Sequence, residues 1–203
     1  MSEHRDPDRS RCSILDAAEE IFAQKGFAGA SMSRIAKLSG KSQALLHHHF
    51  KSKKGLWEAV KARFGERFAR VLLPLLKQGF CVESFIREWP REYLAFWRSN
   101  PNLRRIMLWR QLEGDCTPWE ATNELFALSV GKVVESQKMG HVRQDLHPAH
   151  IISILTGAHL FWLNNKPAFC HRLGLDPDDE AVDERYIQDL ERILTTGLLT
   201  SRE

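Results

Sequence analysis

The 203 residues contain no CxxC pair, no apolar run of bilayer-spanning length and no glycine-rich loop of the kind that cradles phosphate. Each absence removes a class. The four cysteines, Cys12, Cys81, Cys116 and Cys170, are scattered, so neither a zinc ribbon nor a redox motif is expected, and the thiols read as reduced and unpaired. The most apolar stretch, Ile151 to Leu163, falls short of the roughly 18–20 residues that cross a membrane and carries His159. The opening "MSEHRDPDRSRC" has charge but no apolar core behind it, so no signal peptide is expected and the chain reads as cytoplasmic. No nucleophile–base constellation stands out either, so an enzyme is not expected and no cofactor is implied.

What is present is an uneven charge. The whole chain carries +3, but Phe27 to Arg63 holds eight basic residues and one acid, Glu58, for a net +7, which leaves −4 for the remainder. A basic segment on a mildly acidic body suggests that one end meets a polyanion and the other does not.

The periodicity is helical nearly throughout, and the expected fold is all-α with about nine helices. Ile14, Leu15, Ala18, Ile21 and Phe22 line one face of a first helix, which Gly26 can end. Ser31 can cap a short second helix carrying Ile35, Ala36 and Leu38, and Ser39-Gly40 is a turn. Ser42 can cap a short third helix anchored by Leu46 and Phe50. Lys51-Ser52 breaks it, and a long helix runs to about Leu73, with Pro74 near its end and a loop at Gly79. A helix from Val82 to Arg98 must bend near Pro90, and another spans Leu103 to Glu113. Thr117-Pro118 starts one that reaches about Met139, and Pro148 opens one to about Asn164. After a loop over 166–180, the last helix carries Tyr186, Ile187, Leu190, Ile193, Leu194 and Leu198 as a stripe.

Two short helices joined by a Ser-Gly turn, with a helix in front, describe a helix-turn-helix. Leu46 and Phe50 anchor the third helix, each worth roughly 1.5–3 kcal/mol of burial. Gln43, Ala44, His47 and His48 are then held outward, where glutamine can pair with an adenine edge and a small side chain lets the helix approach the major groove. Lys51, Lys53 and Lys54 precede or begin the next helix, whose free amides also attract phosphate. Ser31 and Ser33 can do the same at the second helix.

The stretch "RSRCSILDAAEEIFAQKGFAGASMSRIAKLSGKSQALLHHHFKSKKGLW" resembles the N-terminal DNA-binding domain of TetR-family transcriptional regulators. The matching features are Ile14-Leu15, Ala17-Ala18, Phe22, Gly26-Phe27, Ser31, Ile35-Ala36, Gly40, Ser42, Leu46, His49-Phe50, Ser52-Lys53 and Leu56. The resemblance implies a helix-turn-helix domain over 10–57 and a ligand-binding and dimerisation domain over 58–203. It implies a homodimer on a double-stranded, palindromic DNA operator, usually a repressor, released by a small-molecule effector. It also implies that Ser31, Gln43, His49 and Lys53 touch DNA, while His47 takes the place of a common tyrosine that contacts phosphate. With Ser33, Arg34, Lys41, Ser42, Ala44, His48 and Lys51 these form the expected DNA-binding set. Lys41 replaces a usual apolar residue in the turn, its stem able to lie on the core while its ammonium reaches outward. Leu45 stands where a small or hydroxylated residue is common, and can meet a thymine methyl or pack inward. The alternative is an adaptor whose helix-turn-helix binds protein.

Three consecutive helical histidines point about 100° apart and cannot converge on one ion. His147 and His150, at i, i+3 near Asp145, read as a helix start, so no metal site is expected. In the C-terminal half, Ile151, Ile152 and Leu155 lie on a helix apolar almost all round, which suggests that it and the last helix, through Ile187, Leu190 and Leu194, form a four-helix dimer interface. Aromatic residues are dense there. Trp89, Tyr93, Trp97, Met107, Trp109, Phe126, His159 and Trp162 are candidate linings for an apolar or aromatic effector, with Arg104, Arg110, Glu113 and Asn164 as candidate polar groups.

Overall fold

The structure is a computed structural model that describes residues 7–77, 81–115, 117 and 119–200. The expected loop at Gly79, the start signal at Pro118 and Cys116 lie outside the described residues. Among those described are nine helices and no strand, with one isolated antiparallel bridge between Val142 and Leu199. The helices are α1 (Pro7–Gly29), α2 (Met32–Ser39), α3 (Gln43–Phe50), α4 (Lys53–Lys77), α5 (Val82–Ser99), α6 (Pro101–Leu112), α7 (Glu120–Lys138), α8 (Pro148–Leu173) and α9 (Glu180–Leu198).

The chain forms two compact units: Met1–Arg67 with Asn100–Ala121, and Phe68–Ser99 with Thr122–Glu203. In the first, α1 packs on α2 and on α6, and α2 packs on α3. Its core is Ile14, Leu15, Phe22, Ile35, Leu46 and Leu56, all nearly or fully buried. Leu38 is not part of it. It stands 46% exposed, because Ile35 and Ala36 already occupy the inward face of so short a helix. Gly26 breaks α1, as its place after the last periodic residue predicts. Its φ of 69° and ψ of −177° interrupt helical geometry, and the helix resumes to Gly29.

In the second unit α5 packs on both α8 and α9. Phe68, Trp89, Tyr93, Phe96 and Trp97 form edge-on and stacked ring contacts in its core. Two helices run through prolines expected to lie at or beyond their ends. α4 continues through Pro74 to Lys77, with Leu72 and Leu76 buried on either side. α8 continues through Pro167 to Leu173, where Gly174 closes it in the left-handed conformation. Past Pro167, which cannot make one backbone hydrogen bond, the helix is held by buried Cys170 and by the ion pair of Lys166. Lys166 is buried because its ammonium meets Asp183, 3% exposed, at 3.0 Å, and Asp183 also accepts from the Trp162 indole at 2.9 Å.

The residues expected at a dimer interface belong instead to the core of one chain. Ile151, Ile152, Leu155, Ile187 and Leu194 are between 3% and 6% exposed, and Leu190 is half-buried. Helix α5 takes the face that the sequence pattern assigned to a partner. The large apolar residues left outward on α8 and α9 are Ile154, Phe161, Leu173 and Ile193, at 66%, 60%, 70% and 67%.

Candidate nucleic-acid interface

Each short helix of the head is set by its cap. Ser31 is extended at φ −132° and ψ 143°, and its hydroxyl accepts from the Arg34 amide at 3.4 Å and meets the Ser33 hydroxyl at 3.2 Å. Gly40 ends α2 in the left-handed conformation, returning its amide to the Ala36 and Lys37 carbonyls. Ser42 then caps α3, its hydroxyl accepting from the Leu45 amide at 3.2 Å. With Leu46 fully buried and Phe50 6% exposed, α3 has one orientation, and Gln43, Ala44, His47 and His48 are exposed together on its outer side. Ser33, Arg34, Ser42 and Lys51 are exposed as well, while Ser31, Lys41, Leu45 and His49 are half-buried. The outer surface bears no carboxylate of its own, since no acidic residue occurs between Gly26 and Trp57.

The junction between α3 and α4 is strained. Lys51 has φ 65° and ψ −43°, and is the only non-glycine residue with positive φ among those described. The Ser52 amide donates to the Phe50 carbonyl at 2.7 Å across it, the hydrogen bond of a γ-turn of the rare hand. The turn brings the Lys51 carbonyl within 3.0 Å of His47 Nδ1. Ser52 caps α4 through the Gly55 amide at 3.1 Å. Gly55 must be glycine here, since a Cβ would lie 2.1 Å from the Phe50 carbonyl oxygen.

Lys53 departs from its expected role on phosphate. Its ammonium donates to the carbonyls of Phe27, Ala28 and Ala30 at 2.9, 3.3 and 3.1 Å, and lies 4.6 Å from the centre of the Phe27 ring. A lysine has three donors, and here three carbonyls at the end of α1 take them. Lys54, one residue on, is the exposed cation at this helix start.

The opposite side of the same segment is held by α6. The Glu113 carboxylate accepts from the amides of Phe27 and Ala28 at 3.1 and 2.9 Å, and the Trp109 indole donates to the Ala23 carbonyl at 3.1 Å. Gly26 gives them room, because a Cβ on it would sit 2.4 Å from Glu113 Oε1. Glu113 and Trp109 were expected near an effector, but the structure places both on the α1 kink. Nothing in the sequence couples positions 27 and 113, so their pairing was not readable from it. The same holds for Arg63, which joins Asp16 at 2.6 Å and Glu19 at 2.7 Å, with Arg67 on Glu19 at 3.2 Å.

Of the other effector candidates, Trp89, Tyr93, Trp97, His159 and Trp162 join in one ring network within the second unit, with Tyr186 as a link. Trp89, Tyr93 and Trp97 are buried core residues, and His159 is fully buried against the first two, its ring 5.2 and 5.3 Å from theirs. His159 Nδ1 donates to the Leu155 carbonyl at 2.7 Å, while Nε2 is buried with no hydrogen bond. Burial pushes the His159 pKa down, against the pull of the Leu155 and Pro90 carbonyls. Trp162 stacks flat on Tyr186 at 4.5 Å, and Tyr186 meets the His159 ring edge-on at 6.2 Å; burial pushes the Tyr186 phenol up to about 12. Met107 is half-buried on α6, and Phe126 is 44% exposed on α7. Among the described residues no group of three or more His, Cys, Asp or Glu side chains converges on a metal position, and no helix is long and apolar enough to cross a membrane.

Comparison with known proteins agrees with this geometry. A family model described as "Bacterial regulatory proteins, tetR family" matches residues 14–60, and one described as "Tetracyclin repressor-like, C-terminal domain" matches 86–190. The chain is 30% identical over 165 residues to the HTH-type transcriptional repressor SCO4008 of Streptomyces coelicolor, covering 78% of this chain and 80% of that one. It is 27% identical over 194 residues to the HTH-type transcriptional regulator RutR of Escherichia coli K12, covering 91% and 88%. Its fold matches a TetR family transcription regulator from Marinobacter aquaeolei VT8 with a TM-score of 0.75 at 17% identity, over 96% of this chain and 97% of that one. These matches leave the protein-binding adaptor without support. Helix-turn-helix head, helical second unit and both family models together place the chain in the tetR family of bacterial regulatory proteins, as a DNA-binding transcriptional regulator.

Proposed function

We propose that the chain is a repressor that binds a palindromic operator as a homodimer, reads it with α3, and is released by a small apolar or aromatic effector held in its second unit. The carrying observation is the outer face of α3, where Gln43, Ala44, His47 and His48 are exposed on a helix pinned by Leu46 and Phe50. Ser42, Ser33, Arg34, Lys41 and Lys51 surround that face, and phosphates meet them and the free amides of two helix starts. Lys54 takes the phosphate role expected of Lys53. Partner chains meet through the outward residues of α8 and α9, and the effector lies near His159, whose Nε2 offers an unused polar group in an aromatic setting.

Selecting bound duplexes from genomic fragments tests the reading directly. Binding to a selected duplex should fall with salt at a log–log slope of about −0.9 per phosphate contacted. Gln43→Ala should relax preference at one base pair by roughly 1–3 kcal/mol while leaving the salt slope in place. Equal loss on every sequence would remove Gln43 from the reading face. Tryptophan fluorescence titrated with apolar and aromatic compounds tests the effector arm.

A further inference from the structure

We infer that His47 engages DNA as the imidazolium, so that operator binding by this chain takes up a proton. The inference rests on the reading of α3 as the groove helix. It begins with the hydrogen bond between His47 Nδ1 and the Lys51 carbonyl at 3.0 Å. A carbonyl only accepts, so Nδ1 must carry the hydrogen. That fixes the neutral tautomer. Nε2, on the far side of an exposed ring, is then a bare lone pair.

A bare lone pair is the wrong partner for the acceptors this position meets. Phosphate oxygens accept, and so do O6 and N7 of guanine in the major groove. His47 can donate to them only when Nε2 is also protonated, with Nδ1 still on Lys51. Histidine is the side chain that gains charge between about pH 5 and 8. The Lys51 carbonyl is not free to turn away, because the γ-turn from Phe50 to Ser52 sets it.

The hydrogen bond made by the His47 ring is to the Lys51 carbonyl, and the segment from Phe27 to Leu56 contains no carboxylate that could hold this proton before DNA arrives. Helix α2 supplies Arg34 and Lys37, the turn Lys41, α3 itself His48 and His49, and α4 Lys54, with Lys53 turned to the end of α1. From α1, Arg11 lies over the Phe50 ring at 5.5 Å and Arg9 is near the helix start. Three acids of that helix have partners: Asp16 and Glu19 hold Arg63 and Arg67, and Glu20 accepts from Gln24. Asp8 lies in its first turn. DNA phosphate is therefore the anion that favours the charged ring, and the proton is taken up with it.

The test uses a duplex that the full-length protein recovers from genomic fragments at pH 6, with affinity measured at constant ionic strength from pH 6 to 8. Wild-type Kd should rise with pH, by up to about tenfold per unit for one proton. Its salt slope should be steeper by about 0.9 at pH 6 than at pH 8. His47→Tyr and His47→Gln, which keep a neutral donor, should lose both pH effects, and His47→Tyr should bind more tightly than wild type at pH 8. His47→Phe should be weak and flat. The inference is overturned if His47→Phe keeps the wild-type slope, or if the slope vanishes in His48→Gln or His49→Gln instead. A wild-type affinity flat in pH but still dependent on salt overturns it while leaving the groove reading intact. Recovery of no duplex, or binding indifferent to salt, sinks the groove reading itself.

Discussion

At His159 a titratable ring is enclosed by Trp89, Tyr93 and Tyr186, with Nε2 unsatisfied. Burial disfavours its charged form, so its folded pKa lies below the value of about 6.5 that it takes in the unfolded chain. Between those two values the unfolded state binds the extra proton, and stability rises with pH there. The contribution is therefore complete above about pH 7 and is lost as pH falls through the unfolded value toward the folded one. We predict that the urea midpoint of the DNA-free protein drops from pH 7.5 to 5.5, and that His159→Leu flattens this drop. Of the other depressed groups, the carboxyls Asp115, Asp145 and Glu184 titrate below this window, and the Arg104 guanidinium, lowered by burial, titrates above it. An unchanged pH slope in His159→Leu would assign the loss to another group. Acid thus weakens the second unit while, through His47, it strengthens the grip on DNA, so unfolding and DNA binding must be measured separately.

At the scale of elements, the end of α1 is held from two sides, by Lys53 on its carbonyls and by Glu113 on its amides. The pair fixes the segment that leads into the Ser31 cap, and hence the placement of α2 and α3. Glu113→Ala leaves two amides to water and should cost about 1 kcal/mol, since the site is exposed. Glu113→Gln can satisfy one amide and should lie between. The expected signature is a lowered thermal midpoint in both, with operator affinity reduced on all duplexes alike and base preference kept. Loss of preference without loss of stability would place Glu113 in the reading face instead. The caps of α2, α3 and α4 were legible because Ser31, Ser42 and Ser52 act on amides three residues away. The Glu113 and Lys53 contacts were not, since they join distant positions whose residue types fit a solvated surface equally well. Pro74 and Pro167 misled for the opposite reason. Their local rule is sound, and burial of Leu76 and Cys170, with the Lys166–Asp183 ion pair, outweighs it.

At the scale of the whole molecule, periodicity identified α8 and α9 as apolar helices but could not say which stripe faces which neighbour. Both stripes of α8 are apolar, and only the packing of α5 decides that Ile152 is inside and Ile154 outside. Four large apolar residues on α8 and α9, Ile154, Phe161, Leu173 and Ile193, stand 60–70% exposed, which water does not favour. A two-fold dimer would cover them on both chains. This yields a contrast between the face that the sequence pattern chose and the face that the structure leaves open. Phe161→Asp combined with Ile193→Asp should leave the helical signal intact and shift sedimentation from dimer to monomer at micromolar concentration. Operator affinity should fall with it, because one head then meets one half-site alone. Ile152→Asp should instead unfold the chain, since an unpaired charge at a 4% exposed position costs several kcal/mol. A folded monomer from Ile152→Asp, with a persistent dimer from the double variant, would return the interface to the stripe that includes Ile151, Leu155, Ile187 and Leu194.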